Sequence, residues 1–94
     1  MPISSGEGEQ MISSDQVETM IKAELPDAQV QVLTNDGEHY EVTVVSSQFD
    51  GKRLVQQHQL VNKAVQQHLL SGAIHAMAIK TYTPHDWAIA SQAV

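Results

Sequence analysis

Histidine is the residue type in this 94-residue chain best suited to metal or proton chemistry at neutral pH, and the chain has five. One of them, His75, interrupts the apolar run from Ala73 to Ile79. The run has the length of a strand, so the pattern predicts His75 at the start of a buried strand. An imidazole is unfavourable to bury unless another group binds it, and neutral imidazole is the commonest metal ligand among side chains. His75 is therefore a candidate metal ligand.

The chemistry open to this chain is limited by its lack of cysteine. Without thiols it can form no disulfide, offers no thiol nucleophile and cannot build a cysteine-ligated zinc or iron–sulfur site alone. The sequence also supplies no Ser-His-Asp spacing and no oxyanion site, so we assign no catalytic residue and expect a protein that is not an enzyme. The weakest alternative is an enzyme that uses His39 and His75 as acid and base.

Length and charge restrict the remaining functions. The formal net charge is −6, so the surface field as a whole repels nucleic-acid phosphates and anionic lipid. No apolar stretch approaches the roughly 20 residues of a membrane span, and residues 1–10 are unlike a secretory signal. We expect a soluble, cytoplasmic protein that is monomeric when alone, with a mobile leader over residues 1–10 and a single domain over residues 11–94.

The elements that must position the histidines begin with a helix and a hairpin. Ser13 or Ser14 can cap a helix that ends at Pro26, and its apolar residues recur at helical spacing: Val17, Met20, Ile21 and Leu25. From Gln29 the period changes to two. The pair Asp36-Gly37 then gives a strong hairpin signal, which predicts two antiparallel strands with one wetter face.

The second half of the chain is predicted to contain helices, a strand and a last helix. We expect a short helix over about Lys52 to Gln56 and a longer one to about Leu70, ended by Gly72. A strand from Ile74 to Tyr82 then returns through a right-handed crossover to lie parallel to a hairpin strand. Trp87 and Ile89 are expected to pack the last helix onto the sheet. The order is α-β-β-α-α-β-α, an α+β fold with a three-stranded mixed sheet.

Several separated blocks of sequence resemble the BolA family, closest to its short-loop, IbaG-like branch. They agree in order and spacing over about Met11 to Trp87: Phe49-Asp50-Gly51-Lys52-Arg53, then Val55-Gln56-Gln57-His58-Gln59-Leu60-Val61-Asn62, and Ile74-His75-Ala76 leading into Lys80-Thr81-Tyr82-Thr83-Pro84-His85-Asp86-Trp87. The resemblance implies a fold similar to a type II KH domain. It also implies that the chain binds a monothiol glutaredoxin and shares a bridging 2Fe-2S cluster with it and glutathione, while the isolated chain holds no cofactor.

The resemblance implies a role for His75, because the family places its recurrent cluster ligand at this position and the flanking residues match. Many members carry a second ligand, Cys or His, in the loop between the first two strands. Here that loop, residues 34–38, has neither, and Asp36 would be a poor, hard ligand for iron. His39, just beyond the loop, is the nearest candidate for a second ligand. A surface role, paired with Glu38 or Glu41, is an equal alternative for His39.

Three basic residues are candidates for partner binding: Lys52, Arg53 and Lys80. If they converge they could receive carboxylates, including those of glutathione, although scattered solvated side chains are the commoner outcome. The alternative function is a nucleic-acid-binding transcriptional regulator that uses the KH-like fold. The charge and the lack of a Gly-x-x-Gly loop within residues 53–70 both disfavour that function.

Overall fold

The computed structural model describes residues 12–92, and the leader predicted over residues 1–10 lies outside them. The elements follow in the order α1 (Ser14–Glu24), β1 (Gln29–Thr34), β2 (His39–Val45), a 3-10 helix (Ser47–Phe49), α2 (Leu54–Ala64), α3 (Gln66–Ser71), β3 (Ala76–Tyr82) and α4 (Pro84–Gln92). Within this range the predicted α-β-β-α-α-β-α order is confirmed. The fold is α+β, with four helices and a three-stranded mixed sheet.

The first helix begins where its sequence predicts. The Ser13 hydroxyl accepts a hydrogen bond from the Gln16 backbone N–H at 3.1 Å, and the Gln16 side chain accepts one from the Ser13 N–H at 2.9 Å. This reciprocal pair satisfies two N–H groups that have no partner inside the helix. The helix then buries Val17 and Ile21 against the sheet.

The sheet has the order β1-β2-β3. β1 pairs antiparallel with β2, with Val32 opposite Val42, and β2 pairs parallel with β3, with Val42 opposite Ile79. In the connecting hairpin loop, Gly37 has a φ of 73°, a conformation that glycine adopts without the clash of a Cβ. The hairpin and the parallel return strand are therefore both confirmed.

The core lies between one face of the sheet and helices α1 and α2. Alternate residues of β2 point into it, namely Tyr40, Val42 and Val44. They meet α1, Phe49 of the 3-10 helix, and Val61 and Val65 from the second half. The Tyr40 hydroxyl, buried with its ring, donates its single proton between the backbone carbonyl oxygens of Ile12 and of Gly37. It joins the start of the described chain and the hairpin loop to the core.

The opposite face of the sheet is largely uncovered, and we call it the open face. It carries the exposed side chains of the alternate strand positions: Gln31, Leu33, His39, Glu41, Ala76, Ala78 and Lys80. Helix α4 covers only the far end of this face, where the rings of Tyr82 and Trp87 lie 5.1 Å apart. The end that carries His39 and Ala76 stays open.

Three details of the sequence prediction are wrong. The helical segment breaks at Val65, not near Gln56: Val65 is fully buried and its backbone is not helical (φ −116°, ψ 15°). The polar stretch stays helical since the Gln57 amide donates to the Lys52 carbonyl oxygen at 3.0 Å and accepts from the Thr81 hydroxyl at 2.6 Å. Ile89 does not pack onto the sheet and is 56% exposed.

The third error concerns β3, which is not a buried strand. From Ala76 to Lys80 its residues alternate between exposed and half-buried, because along this part of the strand helices cover only one face of the sheet. The predicted glycine stop before this strand is confirmed, since Gly72 has a φ of 85° in the left-handed region that favours glycine. Within residues 12–92 no helix has the length and apolar character to cross a bilayer.

Candidate functional site

Two of the five histidines lie side by side at the open end of the sheet. The parallel pairing of β2 with β3 places His39 opposite Ala76, so His75 lies directly beside His39. The centroids of the two imidazole rings are 5.3 Å apart, and the ring planes are inclined by 45°. The sequence separates these residues by a helical crossover, and the fold brings them together. We call His39 and His75 the histidine pair.

The backbone around His75 is fixed by the hairpin loop. The N–H groups of His75 and Ala76 both donate to the Glu38 carbonyl oxygen, at 2.8 and 3.1 Å. The side chain of His75, in contrast, is 68% exposed, with Nδ1 4.0 Å from the Glu38 carboxylate. The expectation of a buried imidazole is therefore wrong. His75 stands at the rim of an uncovered face, where no burial cost has to be offset and where another molecule can reach the ring.

The ring of His39 is held by a carboxylate from its own loop. Its Nδ1 lies 2.7 Å from Asp36 Oδ2. The other oxygen, Oδ1, accepts hydrogen bonds from the backbone N–H groups of Glu38 and His39, both at 2.9 Å. The alternative pairing of His39 with Glu38 or Glu41 is wrong, because the partner is Asp36. The His39 side chain remains 57% exposed, so Nε2 is free of this contact.

Both partners of this contact have shifted pKa values. The backbone N–H groups of His39 and Glu38 and then the His39 ring all favour the charged carboxylate, so the pKa of Asp36 lies well below its usual range. The hydrogen bond to Asp36 is the main cause that raises the pKa of His39 above 6.5, and the carboxylate charge adds to it. The largest causes at Asp36 are the backbone hydrogen bonds from His39 and Glu38, whereas the largest cause at His39 is the side-chain hydrogen bond to Asp36.

A shallow groove of about 470 Å³ lies beside the histidine pair on the open face. Its lining combines apolar Leu33, Ala76 and Ala78 with the carboxylates of Asp36 and Glu41. The side chain of Leu33 is 55% exposed and can be reached by another molecule. The groove gives a partner molecule both an apolar contact and acidic groups next to the two imidazoles.

The histidine pair can donate nitrogen ligands to a metal centre. Two imidazoles bound to one tetrahedral ion at metal–nitrogen distances of about 2.1 Å have ring centroids roughly 5 Å apart. The observed 5.3 Å is compatible with this arrangement. Among residues 12–92 no group of three or more His, Asp or Glu side chains is placed to enclose a metal ion.

The three basic candidates do not form one cluster. The Lys52 ammonium donates to the Gln48 carbonyl oxygen at 3.0 Å, Arg53 precedes α2, and Lys80 lies on the open face. Of the three, Lys80 shares a sheet face with the histidine pair.

Asp36 is a residue of the candidate site that the sequence analysis does not include, since the sequence presents it only as a poor metal ligand. A signal was present, because an Asp before Gly in a hairpin loop accepts N–H groups from the residues that follow it. His39, three residues on, comes within reach of the same carboxylate. Nothing local in the sequence, however, could place His75 against His39, because that contact depends on the parallel register of β2 and β3.

Comparison with known proteins identifies the family to which the chain is similar. A family model described as "BolA: BolA-like protein" matches residues 14–86. Protein BOLA2 of Arabidopsis thaliana is 37% identical over 86 residues, covering 87% of this chain and 90% of the relative. The acid stress protein IbaG of Escherichia coli K12 is 38% identical over 56 residues, covering 60% of this chain and 67% of the relative.

Solved structures agree with the sequence comparison. The crystal structure of a Bol-like protein from Babesia bovis superposes with a TM-score of 0.75 at 31% identity, covering 86% of this chain and 95% of the other. A BolA homologue from Coxiella burnetii superposes with a TM-score of 0.72 at 32% identity, covering 83% of this chain and 99% of the other. The expected likeness is thus confirmed at the level of both sequence and fold.

Proposed function

The chain belongs to the BolA-like protein family, and from that membership and the histidine pair we propose that it is an adaptor for a monothiol glutaredoxin. In this proposal His75 and His39 bind a 2Fe-2S cluster that the glutaredoxin and glutathione also hold. The complex would serve iron–sulfur cluster traffic or iron and redox regulation. The family is non-enzymatic, which agrees with an adaptor role.

One observation carries the proposal, namely that two exposed imidazoles from different parts of the chain lie 5.3 Å apart on an uncovered sheet end. A histidine needed only for folding is usually enclosed and hydrogen-bonded by its neighbours. His75 is exposed instead, while its backbone is fixed by the hairpin loop. This combination supports a ring that is positioned for a ligand from outside.

The composition of the chain explains why a partner is needed. Clusters of this type are held mainly by thiolates, and imidazoles can replace two of them, which raises the reduction potential. This chain has no cysteine and can offer the histidine pair. The remaining thiolates must come from other molecules, and a glutaredoxin cysteine and the glutathione thiol provide them in this proposal.

Lys80 is the basic residue we retain for contact with the partner. It lies four positions after Ala76 on the same strand and the same face, which places it roughly 13 Å along the sheet. A glutathione held at the histidine pair would bring its carboxylates toward this end of the face. Arg53 is the N-cap of α2 and Lys52 precedes it, so neither is on a strand of the open face.

The proposal is tested by mixing the protein with a monothiol glutaredoxin that holds a 2Fe-2S cluster. We expect the visible absorption and circular dichroism to change as the cluster ligands change. His75→Ala should abolish the change, and His39→Ala should weaken it. His85→Ala is the matched control, because His85 is an exposed histidine on α4 and has no role in this proposal.

Two outcomes of this titration contradict the proposal. Spectra that do not change on mixing would remove the shared cluster altogether. A change that survives at full size in His75→Ala would remove His75 from the ligand set. Circular dichroism in the far ultraviolet shows whether each variant is folded before its result is interpreted.

We do not extend the proposal to regulation by direct nucleic-acid binding. The groove beside the histidine pair carries Asp36 and Glu41, and the chain as a whole has a net charge of −6. Both features repel phosphates. A gel-shift titration at low ionic strength tests this, and a shift that weakens steeply with salt would restore the alternative function.

A further inference from the structure

We propose that Asp36 is a positioning residue that sets the tautomer of His39, so that Nδ1 carries the proton and Nε2 is the nitrogen presented to a ligand. This inference rests on the proposed function for the identity of that ligand. It does not depend on that function for the tautomer itself, which is a property of the isolated protein.

The two carboxylate oxygens of Asp36 have different hydrogen-bond partners. Oδ1 accepts the backbone N–H groups of Glu38 and His39, which holds the hairpin loop in shape. Oδ2 lies 2.7 Å from Nδ1 of His39. The same backbone bonds that shape the loop therefore also fix the carboxylate, so Oδ2 meets the ring at a set position.

A carboxylate has no proton to donate, so a neutral His39 can make this contact only by donating Nδ1–H. The proton is then absent from Nε2, whose lone pair is free. Metal-bound histidines are commonly held in this way, with the second ring nitrogen donating to a carboxylate or a carbonyl group. Asp36, a poor ligand for an iron–sulfur cluster, thus has a role next to the ligand.

The other ring of the histidine pair is not held in this way. Nδ1 of His75 lies 4.0 Å from the nearest Glu38 carboxylate oxygen, beyond hydrogen-bond distance. Its backbone is anchored, but its ring and tautomer are not fixed by this carboxylate. The two imidazoles therefore differ: the ring orientation and tautomer of His39 are fixed before a ligand binds, whereas those of His75 can adjust to the ligand.

The matched variant for this inference is Asp36→Asn. An asparagine keeps an oxygen that can accept the two backbone N–H groups, so the hairpin loop should be retained. Its second group is an NH₂, which donates and cannot accept Nδ1–H. The variant should therefore move the proton of neutral His39 to Nε2. Glu41→Gln is the control, because it removes a carboxylate from the same face without touching the contact at 2.7 Å.

Long-range proton–nitrogen NMR of the uniformly ¹⁵N-labelled protein identifies the tautomer of each histidine at a pH where the rings are neutral. We expect Nδ1–H for His39 in the wild type and in Glu41→Gln, and Nε2–H in Asp36→Asn. Backbone amide shifts of Gly37 and Tyr40 report whether the loop is retained. An Nε2–H tautomer in the wild type, or an Nδ1–H tautomer in Asp36→Asn with the loop retained, overturns the inference.

A second readout connects the tautomer with binding. Loss of a carboxylate behind a ligating histidine commonly weakens metal binding about 10- to 100-fold. We expect Asp36→Asn to weaken the spectral titration with cluster-loaded glutaredoxin by this factor, and to have little further effect when His39 is already alanine. If the tautomer result holds but no variant or wild type responds to the glutaredoxin, the proposed function fails and the positioning by Asp36 stands.

Discussion

The hydroxyl of Tyr40 should contribute measurably to stability, and Tyr40→Phe tests how firmly the hairpin loop is attached to the core. The ring is only 2% exposed, and its hydroxyl hydrogen-bonds the carbonyl oxygens of Ile12 and Gly37. Removal of the hydroxyl leaves the ring packed and removes the donor. Ile12 is 6% exposed, so water cannot easily replace that donor, whereas the Gly37 carbonyl is only partly buried.

The expected loss follows from these environments. A buried acceptor left without its donor costs about 1–3 kcal/mol, so we expect Tyr40→Phe to lower the free energy of unfolding by about 2 kcal/mol. For a domain of this size each kcal/mol lowers Tm by about 4–8 °C, which predicts a decrease of roughly 8–16 °C. Urea and thermal unfolding followed by circular dichroism measure both quantities.

A matched control is Tyr82→Phe, because the Tyr82 hydroxyl has no hydrogen bond within residues 12–92. Burial also raises the pKa of Tyr40 above its usual 10.0, since the charged phenolate is disfavoured there. The wild type should therefore lose stability as pH rises above about 10, and Tyr40→Phe should lose less. A Tyr40→Phe protein as stable as Tyr82→Phe at neutral pH would refute the role given to the hydroxyl.

Three further predictions concern single contacts. The NMR titration midpoint of His39 should lie above pH 6.5 in the wild type and return toward 6.5 in Asp36→Asn. The contribution of the His39–Asp36 ion pair to the free energy of unfolding is full below pH 6.5 and disappears as pH rises through the raised pKa of His39. An unshifted wild-type midpoint contradicts this prediction. Gly72→Ala should lower the free energy of unfolding in urea by about 1 kcal/mol, because a φ of 85° strains any residue with a Cβ. The strain is in the backbone alone, since no atom lies within 4 Å of the added Cβ. An unchanged urea midpoint would argue against this prediction. Asp27→Ala should lower the free energy of unfolding by about 1 kcal/mol in the same assay, since the carboxylate accepts hydrogen bonds from the hydroxyls of Ser46 at 2.8 Å and Ser47 at 2.7 Å. An unchanged free energy of unfolding would show that water replaces the carboxylate as acceptor.

The elements of the fold could be predicted because each has a local signal. The capping serine, the Asp36-Gly37 loop and Gly72 mark boundaries that depend on neighbouring residues alone. The exposure of β3 could not be predicted in the same way. An apolar run shows that a segment has strand character, but which of its faces is covered depends on where the helices pack.

The candidate site likewise has features with a local sequence signal and features that depend on how the strands pair. The resemblance predicts His75 as a ligand and the loop position makes His39 a candidate, so the sequence names both members of the histidine pair. Their mutual distance could not be predicted, because it depends on the register between two strands separated by a long crossover. The role of Asp36 was also missed, since the sequence shows that a carboxylate is nearby but not which of its oxygens faces the ring.

The most direct test of the central claim is pulsed electron paramagnetic resonance on the reduced cluster in the complex with glutaredoxin. Only this chain would carry ¹⁵N-labelled histidine, so any ¹⁵N coupling must come from its own imidazoles. We expect couplings from two nitrogens in the wild type and from one in His39→Ala. A reduced cluster in the wild-type complex without any ¹⁵N coupling would contradict the claim that the histidine pair binds iron.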